Sequence, residues 1–187
     1  MSTPAPSPQS PQDTLDRLRA GALAGATRLD LRGCGLAAVP REVLSLADTL
    51  HVLDLSDNAL TDLPAELAGL HRLQVLFASG NPFTTLPPVL GRCTALQLAG
   101  FKACRIAHVP EDSLPARLRW LILTDNHVHQ LPESMGRCTR LQKLMLSCNQ
   151  LRQLPQSLQV CQALELLRVA SNHFEDAPEV IFRLPHL

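Results

Sequence analysis

Leucine and other aliphatic residues return along the chain every 22 to 24 residues, at two positions that lie two residues apart. This separation places both side chains on the same face of a β-strand. The first position contains Leu29, Leu53, Leu76, Ala99, Leu121, Leu144 and Leu167. The second contains Leu31, Leu55, Ala78, Phe101, Leu123, Leu146 and Val169. The pattern predicts seven short strands with an inward apolar face.

A third position, three residues after the second, contains an amide or a thiol: Cys34, Asn58, Asn81, Cys104, Asn126, Asn149 and Asn172. The chain must turn there, and an Asn amide can bind backbone groups that the turn leaves unpaired. A proline follows in every repeat and holds the return segment extended. These prolines are Pro40, Pro64, Pro87, Pro110, Pro132, Pro155 and Pro178.

This repeating unit predicts an α/β repeat solenoid with the shape of a horseshoe. Strands of successive repeats should pair in parallel about 4.8 Å apart, so that the leucines of one repeat pack against those of the next. The sheet should line the concave side, and the convex side should be extended or short-helical. Seven repeats occupy residues 26–187, which end on Leu187, the first position of an eighth. We therefore expect these residues to be the front part of a longer protein.

The amino-terminal residues differ from the repeats. Residues 1–12 are rich in Pro, Ser and Gln and predict a disordered leader. Residues 13–25 predict a capping helix, with Asp13 as the N-cap and Leu15, Leu18 and Leu23 on one face. We expect this helix to cover the open edge of the first repeat, because a solenoid exposes its core at an uncapped end.

Charge and cysteine content restrict the partners and the compartment. Lys and Arg together number 17 and so do Asp and Glu, so the formal net charge is zero. This balance argues against a nucleic-acid partner or an anionic membrane. No apolar run is long enough to span a bilayer and no secretory signal opens the sequence, so we expect a cytoplasmic protein with reduced cysteines. Cys93, Cys138 and Cys161 replace a convex leucine and should be buried, whereas Cys148 should be exposed.

Candidate catalytic chemistry is sparse in this sequence. His127 and His129 alternate after Asn126, but no third metal ligand lies near them in the sequence. No Ser, His and Asp set is indicated. We therefore predict no catalytic residue, no metal site and no cofactor, and hence no enzyme activity within these residues.

The side chains that point outward from the strands predict a binding surface on the concave face. Asp30 and Asp54 should make the first repeats acidic, whereas the middle repeats carry large apolar groups. The predicted protein-binding residues are Val75, Phe77, Leu98, Lys102, Trp120, Ile122, Lys143, Met145 and Arg168. Their occupant is either a separate protein ligand or another domain of the same chain. Trp120 is the expected anchor, because it is the only Trp and lies on a central strand.

The repeats match the leucine-rich-repeat pattern, and particular segments resemble one group more closely. LADTLHVLDLSDN, LRWLILTDN, GRCTRLQKLMLSCNQL and ALELLRVASN resemble the amino-terminal repeat domain of bacterial leucine-rich-repeat protein kinases. The resemblance implies a protein-protein interaction scaffold, the sensing or docking module of a longer cytosolic protein. An alternative is the amino-terminal part of such a kinase, with ATP-dependent phosphotransfer by a domain outside these residues.

No kinase motif occurs in the sequence, so no catalytic residue carries over from that group. The glycine-rich loop, the V-A-I-K lysine, the H-R-D loop and the D-F-G motif are all missing from these residues. A free-standing structural repeat protein is a third alternative, and it would need a carboxy-terminal cap of its own.

Overall fold

Seven three-residue strands form one parallel sheet in the computed structural model, which describes residues 10–187. The strands pair in chain order, β1 to β7, as predicted. Each predicted first-ladder residue pairs with the next, beginning with Leu29 and Leu53. The strands are β1 Arg28–Asp30, β2 Val52–Asp54, β3 Val75–Phe77, β4 Leu98–Gly100, β5 Trp120–Ile122, β6 Lys143–Met145 and β7 Leu166–Arg168.

The core consists of the two inward ladders and the apolar residues of the return segments. Every ladder residue from Leu29 to Leu146 is buried, and most are fully enclosed. Leu167 and Val169 in the seventh repeat are half-buried, because β7 is paired on one side within residues 10–187. The side chains that alternate with these ladder residues therefore point outward from one continuous parallel sheet.

Short 3-10 helices form the convex side, as the short-helical alternative predicted. Each begins directly after the proline of its repeat. They span Arg41–Leu46, Ala65–Gly69, Pro88–Arg92, Glu133–Arg137, Gln156–Val160 and Glu179–Arg183. The shorter fourth repeat makes a turn instead, in which the Ser113 N–H donates to the Pro110 carbonyl at 3.1 Å. The main chain at Asp112 lies close to Gly91. A Cβ atom added at Gly91 would be 1.8 Å from the Asp112 carbonyl oxygen.

The asparagine ladder binds one repeat to the next. Asn126 Nδ2 donates to the carbonyls of Phe101 at 2.8 Å and Leu123 at 3.0 Å. Its Oδ1 accepts from the Ile106 N–H at 3.0 Å. The other four asparagines of the ladder make equivalent bonds. Because these side chains satisfy backbone groups of two repeats at once, they connect the turns beneath the sheet.

The two cysteines in the ladder make weaker hydrogen bonds to backbone carbonyls than the asparagines do. The Cys104 thiol lies 3.6 Å from the Ala78 carbonyl, which is a weak hydrogen bond. An aromatic pair lies in the same repeats, because the Phe83 and Phe101 rings meet edge to face with centroids 5.3 Å apart. Both rings are fully buried. Packing therefore supplements the ladder where an amide is replaced.

The capping helix α1 spans Pro11–Arg19, so its predicted bounds were wrong at both ends. Ser10, not Asp13, is the N-cap: its hydroxyl accepts from the Asp13 N–H, and the Asp13 carboxylate accepts from the Ser10 N–H. Asp13 is thus the fourth residue of a capping box. Leu15 and Leu18 are buried against the first repeat. Residues 1–9 of the predicted leader lie outside the described residues.

Candidate functional site

The outward positions of the strands stack into columns across the concave face, as the sequence pattern predicted. Strand register places the first outward residues side by side: Arg28, Val52, Val75, Leu98, Trp120, Lys143 and Leu166. The central column consists of Asp30, Asp54, Phe77, Gly100, Ile122, Met145 and Arg168. Eight of the nine predicted binding residues therefore lie in β3 to β7, and Lys102 follows β4 by two residues.

The middle of this face carries six large apolar side chains, which we call the central apolar patch: Val75, Phe77, Leu98, Trp120, Ile122 and Met145. All six are half-buried rather than fully exposed. The Phe77 ring lies over Gly100, where an added Cβ would be 2.8 Å from its Cδ1 atom. The Phe77 ring therefore packs on the main chain of β4, and the six side chains form a shallow apolar surface.

Trp120 is half-buried because a cation covers part of its ring. The Lys143 Nζ atom lies 4.0 Å from the ring centroid, in the geometry of a cation–π interaction. The two residues are direct neighbours in the first outward column. The sequence indicated that both point outward, but their mutual contact depends on rotamers that a repeat pattern does not specify.

A groove of about 430 Å³ runs beside this pair. Val75, Leu98 and Trp120 form its apolar wall. Its polar wall contains residues that precede the strands: Gln97, Arg119, Gln142 and Glu165. Arg119 Nε donates to Gln142 Oε1 at 3.1 Å. These polar residues were not among the predicted site residues, although their position just before the first strand residue of each repeat could have identified them.

The first two strands carry charges that pair with each other. Arg32 Nη2 lies 2.8 Å from Asp54 Oδ2 and 3.8 Å from Asp30 Oδ2. The hydrogen bond to Asp54 and the two carboxylate charges raise the pKa of Arg32. Asp54 is buried and also accepts from the Ser56 N–H at 2.9 Å. Arg32 offsets one of the two carboxylate charges, so the first strands are less acidic than the sequence predicted.

The cysteines are located as the repeat positions predicted. Cys93, Cys138 and Cys161 are buried free thiols, and Cys148 is exposed. Burial raises the pKa of Cys93 to about 11, that of Cys138 to about 12 and that of Cys161 to about 11. A raised pKa keeps these thiols protonated at neutral pH and makes them poor nucleophiles.

Within residues 10–187, no helix combines the length and the apolar character needed to cross a membrane. In the same part of the chain, no three His, Cys, Asp or Glu side chains form a group that could hold a metal ion.

Known proteins resemble the chain in its repeats. Residues 24–83 and 116–174 match the family described as leucine rich repeat. A rice protein, plant intracellular Ras-group-related LRR protein 7 of Oryza sativa subsp. japonica, is 36% identical over 61 residues. The match covers 33% of this chain and 23% of the rice protein. The chain thus spans about a quarter of the length of that relative.

Two other similarities concern a probable kinase and a protein in complex with RNA. The probable serine/threonine-protein kinase roco9 of Dictyostelium discoideum is 37% identical over 59 residues, which are 32% of this chain and 2% of that protein. The crystal structure of a TLR13–ssRNA13 complex superposes with a TM-score of 0.75 at 29% identity. That match covers 83% of this chain and 23% of the other.

Proposed function

Because the chain belongs to the leucine-rich-repeat family, we propose that it binds a protein through the central apolar patch. Proteins of this fold commonly act in protein–protein interaction, and none of the geometry above requires a reaction. One observation carries the proposal: six large apolar side chains share one face of a rigid sheet, in register and half-buried. A contiguous apolar surface of this kind is typical of a contact site.

The edges of the patch support the same interpretation. Lys102, Lys143 and Arg168 lie around the apolar residues and provide a polar rim. An apolar centre with a polar rim is the usual arrangement of a protein interface. All nine predicted residues are therefore retained in the proposed site, with Trp120 as the central anchor.

The proposal is tested with Ile122→Asp, which places a carboxylate in the centre of the patch. The sheet tolerates Asp in this column, because Asp30 and Asp54 occupy it in β1 and β2. Val160→Asp is the matched control, because Val160 is 49% exposed in a convex 3-10 helix. The immobilised wild-type chain and both variants would be incubated with lysate of the source organism, and the retained proteins compared.

We expect proteins retained by the wild type to be lost with Ile122→Asp and kept with Val160→Asp. The physical reason is that an unpaired carboxylate is costly to desolvate at an interface centre. Equal retention by the wild type and Ile122→Asp would exclude the patch as the contact surface. Thermal melting of both variants would establish that the folded state is intact.

A finer proposal assigns the module to a sensing or docking role in a longer, cytosolic bacterial protein. Buried, protonated thiols at three convex leucine positions support a reducing compartment. The alternative is that the module belongs to a protein kinase. The similarity to a 59-residue segment of the probable kinase roco9, together with the resemblance to bacterial repeat kinases, supports this alternative. Incubating the full-length gene product with labelled ATP tests it, and absence of phosphotransfer from an intact, folded product would reject the kinase alternative.

A further inference from the structure

Four cations lie together along one edge of the central strands, and we call them the basic edge: Arg117, Arg119, Arg140 and Lys143. Arg119 and Lys143 line the groove beside Trp120. Arg117 and Arg140 line a second groove of about 490 Å³, which shares Gln97, Arg119 and Gln142 with the first. The two grooves are therefore adjacent. The three arginines are exposed and Lys143 is half-buried.

Within residues 10–187, none of the four cations of the basic edge forms an ion pair with a carboxylate. Ion pairs in this part of the chain include those of Arg19 with Asp16 and of Arg32 with Asp30 and Asp54. Arg119 bonds a neutral amide, that of Gln142, and Lys143 covers an aromatic ring. Glu165 is the one acidic residue that lines either groove in this part of the chain. Four positively charged side chains and one negatively charged side chain therefore line the two grooves.

This imbalance is local, because the whole chain is neutral. A cluster of one sign in a concave site raises the local concentration of ligands of the opposite sign. Guanidinium groups bind carboxylates through two parallel hydrogen bonds, and these bonds strengthen when the site excludes water. Val75, Leu98 and Trp120 form an apolar wall beside the basic edge, so a partner bound on this wall would exclude water there.

We propose that the partner of this surface is an acidic protein segment: Asp or Glu side chains on the basic edge, beside a large apolar side chain on the central apolar patch. This inference rests on the proposed function and specifies the chemistry of its partner. Arg117, Arg119 and Arg140 bind the carboxylates. The apolar anchor occupies the groove against Trp120, whose ring is held in place by Lys143.

The geometry favours a protein segment over a nucleic acid. Trp120 is the single aromatic residue that lines the two grooves, whereas single-stranded nucleic acids bind along several stacking rings. The rest of the apolar wall is aliphatic, which suits an aliphatic or aromatic side chain of a protein.

The test is to pan a display library of random peptides, about 12 residues long, on the full chain and sequence the retained clones. We expect Asp and Glu to be enriched by about twofold or more relative to the starting library, together with a large apolar residue. The enriched peptides should bind less well as salt is raised, because charge attraction is screened. Retained peptides without an Asp and Glu excess would overturn the proposal, as would an excess of Lys and Arg.

Paired variants locate the effect on the basic edge. Panning on Arg119→Gln combined with Arg140→Gln should abolish the acidic enrichment. The control is Arg28→Gln combined with Arg41→Gln, which removes the same charge at residues far from the central strands. If the control abolishes the enrichment equally, general charge and not the basic edge is responsible. Random-sequence RNA of about 20 nucleotides is the second probe, and binding that depends on Arg119 and Arg140 would reject an acidic protein segment.

The two proposals fail separately. Peptides that depend on Ile122 but show no acidic excess would overturn this inference and leave the proposed function in place. Lysate proteins retained equally by Ile122→Asp would overturn the proposed function itself.

Discussion

The first two strands and the three central strands present equivalent positions to the same face, but their charges are arranged differently. In β1 and β2, Arg32 lies between Asp30 and Asp54 and pairs with both. In β4 to β6, Arg119 and Lys143 lie beside apolar groups and contact an amide and an aromatic ring. Arg32 and Asp54 in the first region are therefore satisfied by each other within the fold. A charged residue in the second region keeps its capacity for an outside partner.

This difference teaches which surface charges indicate binding. The number of charges does not distinguish the regions, because both contain several. Pairing distinguishes them, together with the neighbouring apolar groups that lower the local dielectric and strengthen a new ion pair.

The central strands depend on the asparagine ladder beneath them, so Asn126→Ala should be the most damaging change. The substitution removes bonds to Phe101, Leu123 and Ile106 and leaves buried backbone groups unpaired. We expect a loss of about 2–3 kcal/mol in the free energy of unfolding. Urea denaturation measures this loss. Asn172→Ala is the control with a smaller expected loss, because Asn172 is half-buried; equal losses would show that ladder burial is unimportant.

Trp120→Ala should separate binding from stability in the central region. We expect the affinity for a captured protein to fall by about 2 kcal/mol, because large aromatic anchors dominate interface energies. The free energy of unfolding should fall by less, about 1 kcal/mol, because the ring is half-buried and packs on Lys143. Calorimetric titration and urea denaturation measure the two quantities. A stability loss that exceeds the affinity loss would mean that Trp120 is chiefly structural.

In the first region, Asp54→Ala should lower the stability of the fold and leave binding unchanged. It removes the hydrogen bonds from Arg32 and from the Ser56 N–H, and we expect a stability loss of about 1.5 kcal/mol. Binding to a captured protein should be unchanged, because these charges are paired within the fold. Asp30→Ala is the control, with a loss below about 0.5 kcal/mol, since the Asp30 side chain is half exposed. A fall in affinity with Asp54→Ala would extend the binding surface to β2.

Lys143→Gln and Arg28→Gln compare one column position in the two regions. Both residues are the first residue of their strand and lie in the same outward column. Lys143→Gln should cost about 0.5 kcal/mol of stability through loss of the cation–π contact. Arg28→Gln should change stability by less than this. Thermal melting of the pair, repeated at high salt, measures the difference, and identical melting curves would argue that the Lys143 contact contributes nothing.

The sequence alone predicted the structural features that follow from the periodicity of the repeats. The inward ladders, the seven strands and the outward columns depend on residue spacing, and the structure confirms all three. The burial of Cys93, Cys138 and Cys161 follows from the same rule. Repeat position determines which way a side chain points, so these features needed no knowledge of contacts.

Features that depend on side-chain contacts were not predictable in this way. The pairing of Arg32 with Asp54 joins residues 22 positions apart through one rotamer of a long side chain. The position of Lys143 over Trp120 depends on a rotamer as well. The N-cap at Ser10 depends on a local choice among several polar residues, and both Ser10 and Asp13 are part of the same capping box. The repeat pattern predicts which face of the sheet a side chain occupies. The packing of neighbouring side chains determines which of them form contacts.

The central claim is that a partner contacts the middle of the concave face. Because Trp120 is the only Trp, labelling the chain with 5-fluorotryptophan gives one fluorine resonance from the centre of the patch. A captured protein, purified and shown by calorimetry to bind, would be titrated against the labelled chain. The account predicts that this resonance shifts and saturates in parallel with binding. Saturated binding with an unmoved resonance would contradict it.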